Sequence, residues 1–319
     1  MLSNRKFQAL NPAPAHLERL AVNLVRGAFL ELYLSPKPGL VDLYDSGSHP
    51  DLSVARMESS LQIVSCYLLD LSEALHNGEN LAAQVRLGTA AERAMLRATG
   101  TNCHRGYIFL SGLLLAASAY TPHLEEAALR AAITDIATRF YARGEYETSN
   151  GSRARSRFRV GGIRQEALSG LPNLFEQALP AYRSEIASGG NRGTAVYAML
   201  GRLMQTVEDT TALHRCGAEG LKTIHEDGRT LERLVLERGD FLSFLSERNA
   251  FYVDKNLTMG GVADLLGVAL AWLSQTGELQ EQSVDSEAPC QELSPAPKAE
   301  PEPVSRPRTV RSYVLHPAM

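Results

Sequence analysis

The chain has 319 residues, 44% hydrophobic and 21% charged, and carries a formal net charge of -4. This ordinary soluble composition can bury one large core or two small ones, and its slightly acidic balance argues against a protein that grips nucleic-acid phosphates along a basic face. The four cysteines, Cys66, Cys103, Cys216 and Cys290, make no CxxC pair, which argues against a disulfide framework or a cysteine zinc site and fits a reducing compartment.

Residues 1–14 lack the apolar stretch of a secretion signal and read as an N-terminal extension that runs into helix-periodic sequence. Apolar residues then recur three and four apart in run after run, and alternating strand-like stretches are nearly absent. The first predicted helix, 15–34, stops at SPKPGLVDLYDSGSHPD, residues 35–51, where Pro36, Pro38, Gly39, Gly47 and Pro50 exclude regular structure. Helices are predicted over 53–75, with Ser53 as its N-cap, over 81–98 and over 105–120. The last holds the longest apolar run, which Ser111, Gly112 and Ser118 interrupt. It is shorter than the roughly 20 residues a bilayer requires, so a buried core helix and a cytoplasmic protein are expected. A helix over 124–142 closes at Gly144.

The segment NGSRARSRFRVGGIRQE, 150–166, reads as an arginine-rich loop, either solvated or clamping a polyphosphate. Further helices are predicted over 174–188, 193–207, 211–226, 231–246 and 261–274. The expected fold is therefore all-α, a single multi-helix globular domain over 15–275. Residues 276–319, rich in Pro, Glu and Ser, have the composition of a disordered tail.

Chemistry concentrates where helices are interrupted. Residues 35–51 supply Lys37 as a cation, Asp42, Asp45 and Asp51 as oxygen ligands or bases, and His49 as a donor or proton shuttle. That mixture suits a phosphorylated, metal-bound substrate. Asn102, His104 and Arg105 open a helix, a ready anion site unless Asn102 is simply its cap. Asp209 and Asp264 each flank an apolar helix, where a carboxylate is a cap as often as a metal ligand. Five such interruptions in one helical chain favour a shared ligand over five separate caps.

In order, KPGLVD with GSHPD, NCHRG, GGIRQEA, DTTALHR and NLTMGGVADLL resemble the motifs of triphosphoribosyl-dephospho-CoA synthases. The resemblance runs over about residues 20–273, and GSH, GSRARSRFRVGGIR and ALHR look closest to the branch that serves malonate decarboxylase rather than citrate lyase. It implies a transferase that takes ATP and 3'-dephospho-CoA, displaces adenine from the ATP ribose and joins the triphosphoribosyl group to the acceptor's 2'-hydroxyl. The product is the precursor of an acyl carrier protein's prosthetic group.

The positions matching the family pattern are Glu31, Lys37, Asp42, His49, Asp51, Asn102, His104, Arg105, Arg164, Glu166, Asp209, His214, Arg215, Asn256 and Asp264. Asp42, Glu166, Asp209 and His104 are the expected catalytic residues. Lys37, His49, Asn102, Arg105, Arg164, His214, Arg215 and Asn256 are expected to bind substrate or phosphate, and Asp51, Asp209 and Asp264 to hold Mg2+. With no GxxxxGK[ST] loop, the triphosphate would rest on side chains, helix starts and that ion. Small molecules are the expected partners, with no nucleic acid and no membrane, a homo-oligomer left open and an indirect link to an acyl carrier protein. Cys103, Thr211, Cys216, Met259 and Val262 stand where the family usually has other residues. Two other readings stay open: a divergent enzyme acting on another nucleotide or acceptor, and a non-catalytic binding protein of the same fold.

Overall fold

Among residues 14–121, 125–144 and 149–279, which a computed structural model describes, the chain forms twelve α-helices and one π-helical turn, with no strand. The helices are α1 (Pro14–Tyr33), α2 (Val54–His76), α3 (Leu81–Thr99), α4 (Arg105–Ser118), α5 (Glu126–Ala142), α6 (Asn150–Phe158) and α7 (Gly162–Leu168). The π-helical turn (Asn173–Ala178) leads into α8 (Leu179–Ala187), followed by α9 (Arg192–Thr206), α10 (Thr210–Leu236), α11 (Phe241–Asp254) and α12 (Gly260–Gln275).

Two helices are apolar all round and form the centre, as such helices must. In α4 every residue over 110–118 is buried, and in α12 every residue over 265–274. Around them lie helices with one apolar stripe. In α1 this stripe is Leu17, Leu20, Ala21, Leu24, Ala28 and Leu32, the three-and-four spacing of a core-facing helix. α1 lies along α12 and α2, α2 along α3, and α4 between α12 and α5, while α9 pairs with α10 and α8 on the other side.

Two of these pairings are close because glycine allows it. A Cβ added at Gly27 in α1 would stand 2.3 Å from the Gly267 carbonyl oxygen of α12, and one at Gly228 in α10 would stand 2.7 Å from the Gly201 carbonyl oxygen of α9. Helix ends follow the expected chemistry. Ser53 caps α2, Asn80 caps α3, and Gly100 at φ 75° ends α3 in the left-handed conformation.

Residues 150–166 are not a loop. Ser149 and Ser152 form a reciprocal capping box that starts α6, arginine is a good helix former, and Ala154 supplies the buried face. Arg159, at φ 58°, ends that helix before the glycine pair turns the chain into α7. The single helix predicted over 231–246 is also two pieces, because α10 runs to Leu236 and Asp240 starts α11 by accepting the Ser243 N–H at 3.1 Å. At the other end of α12, Glu278 takes both nitrogens of the Arg183 fork at 2.8 and 2.9 Å. The tail beyond 279 lies outside the described residues.

Candidate active site

The loop between α1 and α2 is built around its own carboxylates. Asp42 accepts the Lys37 N–H at 3.3 Å through one oxygen, and the Tyr44 and Asp45 N–H groups at 2.8 and 3.3 Å through the other. Asp45 in turn accepts the Gly47 N–H at 2.6 Å and the Asn249 side-chain amide at 2.8 Å. Gly39, at φ 68°, lies so close to the segment between α11 and α12 that an added Cβ would stand 2.3 Å from the Leu257 carbonyl oxygen. The loop is thus held in place, and the point it delivers is Lys37.

Lys37 is 1% exposed. Its Nζ donates to the Glu31 carboxylate at 2.6 Å and to the Glu31 backbone carbonyl, a buried ion pair at the C-terminal end of α1. Asp264, in the first turns of α12, stands against the start of α4, since a Cβ on Gly106 would lie 2.0 Å from its Oδ2. Burial, with the nearby charges of Glu31 and Asp209 added, pushes its carboxyl well above the ordinary carboxylate range.

His104, buried just ahead of α4, completes the group. Ser60 Oγ donates to the Met57 carbonyl at 2.7 Å, so the ring gives its Nδ1 proton to Ser60 Oγ, 2.5 Å away, and Nε2 keeps the lone pair. Burial and the Lys37 charge lower its pKa from 6.5 to about 4. A neutral imidazole with a free ring nitrogen, a cation and a crowded carboxylate therefore share one polar cluster in an apolar core.

Asp209 is the cap that its position suggested and also a tie between helices. Its Oδ1 accepts the Thr211 and Ala212 N–H groups at 2.8 and 3.0 Å, and its Oδ2 accepts the Val262 N–H of α12 at 3.0 Å. Beside it lies a second knot. Arg215 donates to His49 Nδ1 at 3.1 Å, to the Ser48 carbonyl at 2.7 Å and to Asn256 Oδ1 at 3.0 Å, and His49 Nε2 donates to Thr258 at 2.8 Å. Burial and Arg215 lower the His49 pKa to about 4. Three expected phosphate binders therefore bond to one another.

Most of the remaining candidates bond to partners outside the cluster. Glu166 in α7 accepts from the Asn173 backbone at 2.8 Å and from its side chain at 2.7 Å, and Arg164 lies over the Tyr141 ring at 5.0 Å. Arg105 pairs with Glu92 of α3 at 3.1 Å, and Asn102 donates to the same carboxylate at 3.2 Å while its own Oδ1 is buried with no partner. Asn102 does not cap α4; that place falls to His104, whose side chain makes no capping bond. His214 is exposed on α10, and Asp51 is exposed, with its backbone carbonyl accepting from Arg56.

Among the described residues no three His, Cys, Asp or Glu side chains stand close enough to hold one metal ion, so Asp51, Asp209 and Asp264 do not make a three-ligand cage. Mg2+ is usually held by one or two carboxylates with phosphate oxygens and water. Asp264, whose charged form is penalised by burial and by its acidic neighbours, suits that role, while Asp209 is committed to three backbone N–H groups.

Ser60 and Glu92 escaped sequence reasoning. Only Ser60 left a signal, a polar residue within the buried stripe of α2 that also holds Leu61, Val64 and Leu68. The departures at Met259 and Val262 are fully buried packing residues rather than cleft residues. Cys66, Cys103 and Cys216 are free thiols.

Residues 17–283 match the family model described as ATP:dephospho-CoA triphosphoribosyl transferase. The chain is 35% identical over 280 residues to a probable 2-(5''-triphosphoribosyl)-3'-dephosphocoenzyme-A synthase of Azotobacter vinelandii, covering 83% of this chain and 94% of that protein. It is 36% identical to one described in the same words from Pseudomonas syringae pv. tomato, over 81% and 92% of the two chains. A 2-(5''-triphosphoribosyl)-3'-dephosphocoenzyme-A synthase of Pectobacterium atrosepticum is 35% identical, over 76% and 84%. No solved structure matches.

Proposed function

The chain belongs to the ATP:dephospho-CoA triphosphoribosyl transferase family, and from that premise we propose that the Lys37, Glu31, His104 and Asp264 cluster is where the transfer occurs. The enzyme moves the triphosphoribosyl group of ATP to dephospho-CoA and releases adenine. The bond between the ribose C1' and adenine breaks, and a bond from C1' to the acceptor's 2'-hydroxyl oxygen forms. One proton leaves that hydroxyl and one is gained by adenine. A single neutral base that takes the first and returns the second closes the balance.

His104 fits that role, because it is neutral above about pH 4 and presents an unprotonated Nε2. Positive charge builds on the sugar as adenine departs, and the Asp264 carboxylate stands where it would be stabilised. Lys37 meets triphosphate oxygens. Mg2+, held by Asp264, would neutralise phosphate charge when bound. Asp42 and Asp209 set the positions of Lys37 and Asp264, and the His49, Arg215 and Asn256 knot offers donors at the cluster's edge. Glu166 and Arg164, with local partners, serve a more distant part of the substrate path.

The observation that carries this reading is the buried Lys37–Glu31 pair. Such pairs seldom add net stability, since desolvation offsets their attraction, so its position among catalytic groups has a functional reason. The test is a variant set. Lys37→Met strands the Glu31 charge and should cost about 3 to 5 kcal/mol of stability. The Lys37→Met/Glu31→Gln double variant should regain most of that and still lose adenine release by about two orders of magnitude or more. Wild-type turnover by a stably folded double variant would remove the cluster from the reaction.

The motifs Gly47-Ser48-His49, 151–164 and Ala212-Leu213-His214-Arg215 support service to a malonate decarboxylase acyl carrier protein, in the cytoplasm where both substrates are made. No helix among the described residues is long and apolar enough to cross a membrane.

A further inference from the structure

A cavity of about 820 Å³ opens between α3, α4 and α5. Its floor is apolar, with Val85, Ile108, Phe109 and Phe140, and its rim carries Arg86, Arg93, Arg97, Arg105 and Arg143 against one acid, Glu92. The volume is that of a small-molecule site. Five arginines against one acid is a strong local excess in a chain of formal net charge -4. Arg86, Arg93 and Arg97 are exposed, and none of the three forms an ion pair among the described residues. An apolar floor under unpaired guanidinium groups fits a long amphipathic ligand with phosphate at one end.

A glycine points the same way. Gly88 is inside α3, where glycine costs about 1 kcal/mol relative to alanine. Neither its backbone nor its neighbours require it. Its φ is not positive, and the nearest atoms to an added Cβ would be the Tyr67 hydroxyl at 3.7 Å, the Tyr67 ring at 3.8 Å and Ile108 at 3.9 Å, ordinary contact distances. Tyr67 and Ile108 both line the cavity. What glycine provides at 88 is therefore open space over the floor.

The cavity rim also reaches the chain neighbour of a cluster residue. Arg105 on its rim follows His104 directly, and Glu92, which holds Arg105, also takes the Asn102 amide, whose other atom is buried without a partner. We infer that this cavity is the acceptor subsite: its arginine rim binds the diphosphate of dephospho-CoA and its apolar floor holds the pantetheine arm, so that the 2'-hydroxyl points past Arg105 to His104. The inference rests on the acceptor being dephospho-CoA.

Purified protein is assayed for adenine release at varied ATP and varied dephospho-CoA, and dephospho-CoA is titrated calorimetrically into the same preparations. Gly88→Leu should keep or raise the melting temperature, leave the affinity for ATP alone as it is, and raise the KM and Kd for dephospho-CoA at least about tenfold by filling the floor. The Arg93→Glu/Arg97→Glu variant should weaken the same acceptor by a similar factor, and the loss should shrink at high salt. Wild-type acceptor KM and Kd in both variants, or a rise confined to ATP, would overturn the subsite. A wild-type protein that binds dephospho-CoA in this cavity but releases no adenine would instead refute the reaction and leave the subsite standing. Absence of dephospho-CoA binding to wild type would refute both.

Discussion

Asp209 shows how a single side chain can be both cap and tie. An amide could keep the Thr211 and Ala212 bonds through its oxygen, but its NH2 would then face the Val262 N–H that Asp209 Oδ2 now accepts. Two donors in contact leave a buried N–H unsatisfied, at about 1 to 3 kcal/mol. Asp209→Asn is therefore expected to lower the midpoint of chemical unfolding, whereas an ordinary N-cap would tolerate the change. An unchanged midpoint would mean that the bond to α12 contributes nothing.

His104 makes a claim about pH. Its pKa is about 4 in the folded protein and 6.5 when unfolded, so the unfolded chain takes up the proton first as the pH falls. Its stabilising contribution is complete above about pH 6.5 and is lost progressively towards pH 4. The unfolding free energy of wild type minus that of His104→Gln should shrink by about 2 kcal/mol between pH 7 and pH 5. The buried carboxyls of Asp209, Asp264 and Glu166 act in the opposite sense and cancel in the difference. A gap that does not change with pH would show that His104 is not held neutral.

The cluster was partly legible at this scale because its members stand at helix interruptions, where Lys37, His104, Asp209 and Asp264 are conspicuous among apolar neighbours. Their partners were not legible. Ser60 is one serine within a helix, and nothing in the order of residues says that it lies under His104 in space. The spacing of Asp51, Asp209 and Asp264 was equally silent about distance, and the fold leaves Asp51 at the surface.

At the scale of elements, periodicity recovered most helices because their apolar stripes are long. It failed at α6, where three arginines and a glycine in nine residues hide a single buried alanine. It also failed at α10, whose 27 residues include Gly217 at φ 68° and ψ −162°, a kink that interrupts the helical pattern. The nearest atom to a Cβ at 217 would be Phe158 at 3.9 Å, so no clash enforces the glycine and only its backbone does. Gly217→Ala should then cost about 1 to 3 kcal/mol, the penalty of an alanine in a backbone region open essentially to glycine alone, with no loss of packing. Stabilisation instead would mean that the kink relaxes into straight helix, which would carry His214 and Arg215 out of register with His49. Arg215 would report that change, because its three hydrogen bonds all go to residues outside α10.

At the scale of the whole molecule, the cluster depends on how closely two helices approach. Glu31 ends α1, Asp264 opens α12, and the two helices run along each other through Gly27 and Gly267. A methyl at 27 would stand 2.3 Å from a backbone carbonyl and 2.6 Å from the Ala271 nitrogen, and neither can move without moving α12. The helices would separate, at an overpacking cost of about 1 to 3 kcal/mol. Glu31 and Lys37 would then be drawn away from Asp264 and His104, although none of the four is altered. Gly27→Ala should therefore reduce adenine release by more than its stability loss explains, with activity still depressed at temperatures where the variant is fully folded. Gly201→Ala offers the control. It forces apart α9 and α10, where a Cβ would meet the Glu232 nitrogen at 2.9 Å, at similar cost but at a contact that carries none of Glu31, Lys37, His104 and Asp264. Equal activity losses in the two variants, matched for stability, would show that the α1 and α12 contact has no special hold on the reaction. A loss confined to Gly27→Ala would tie the chemistry to the closest helix approach in the core.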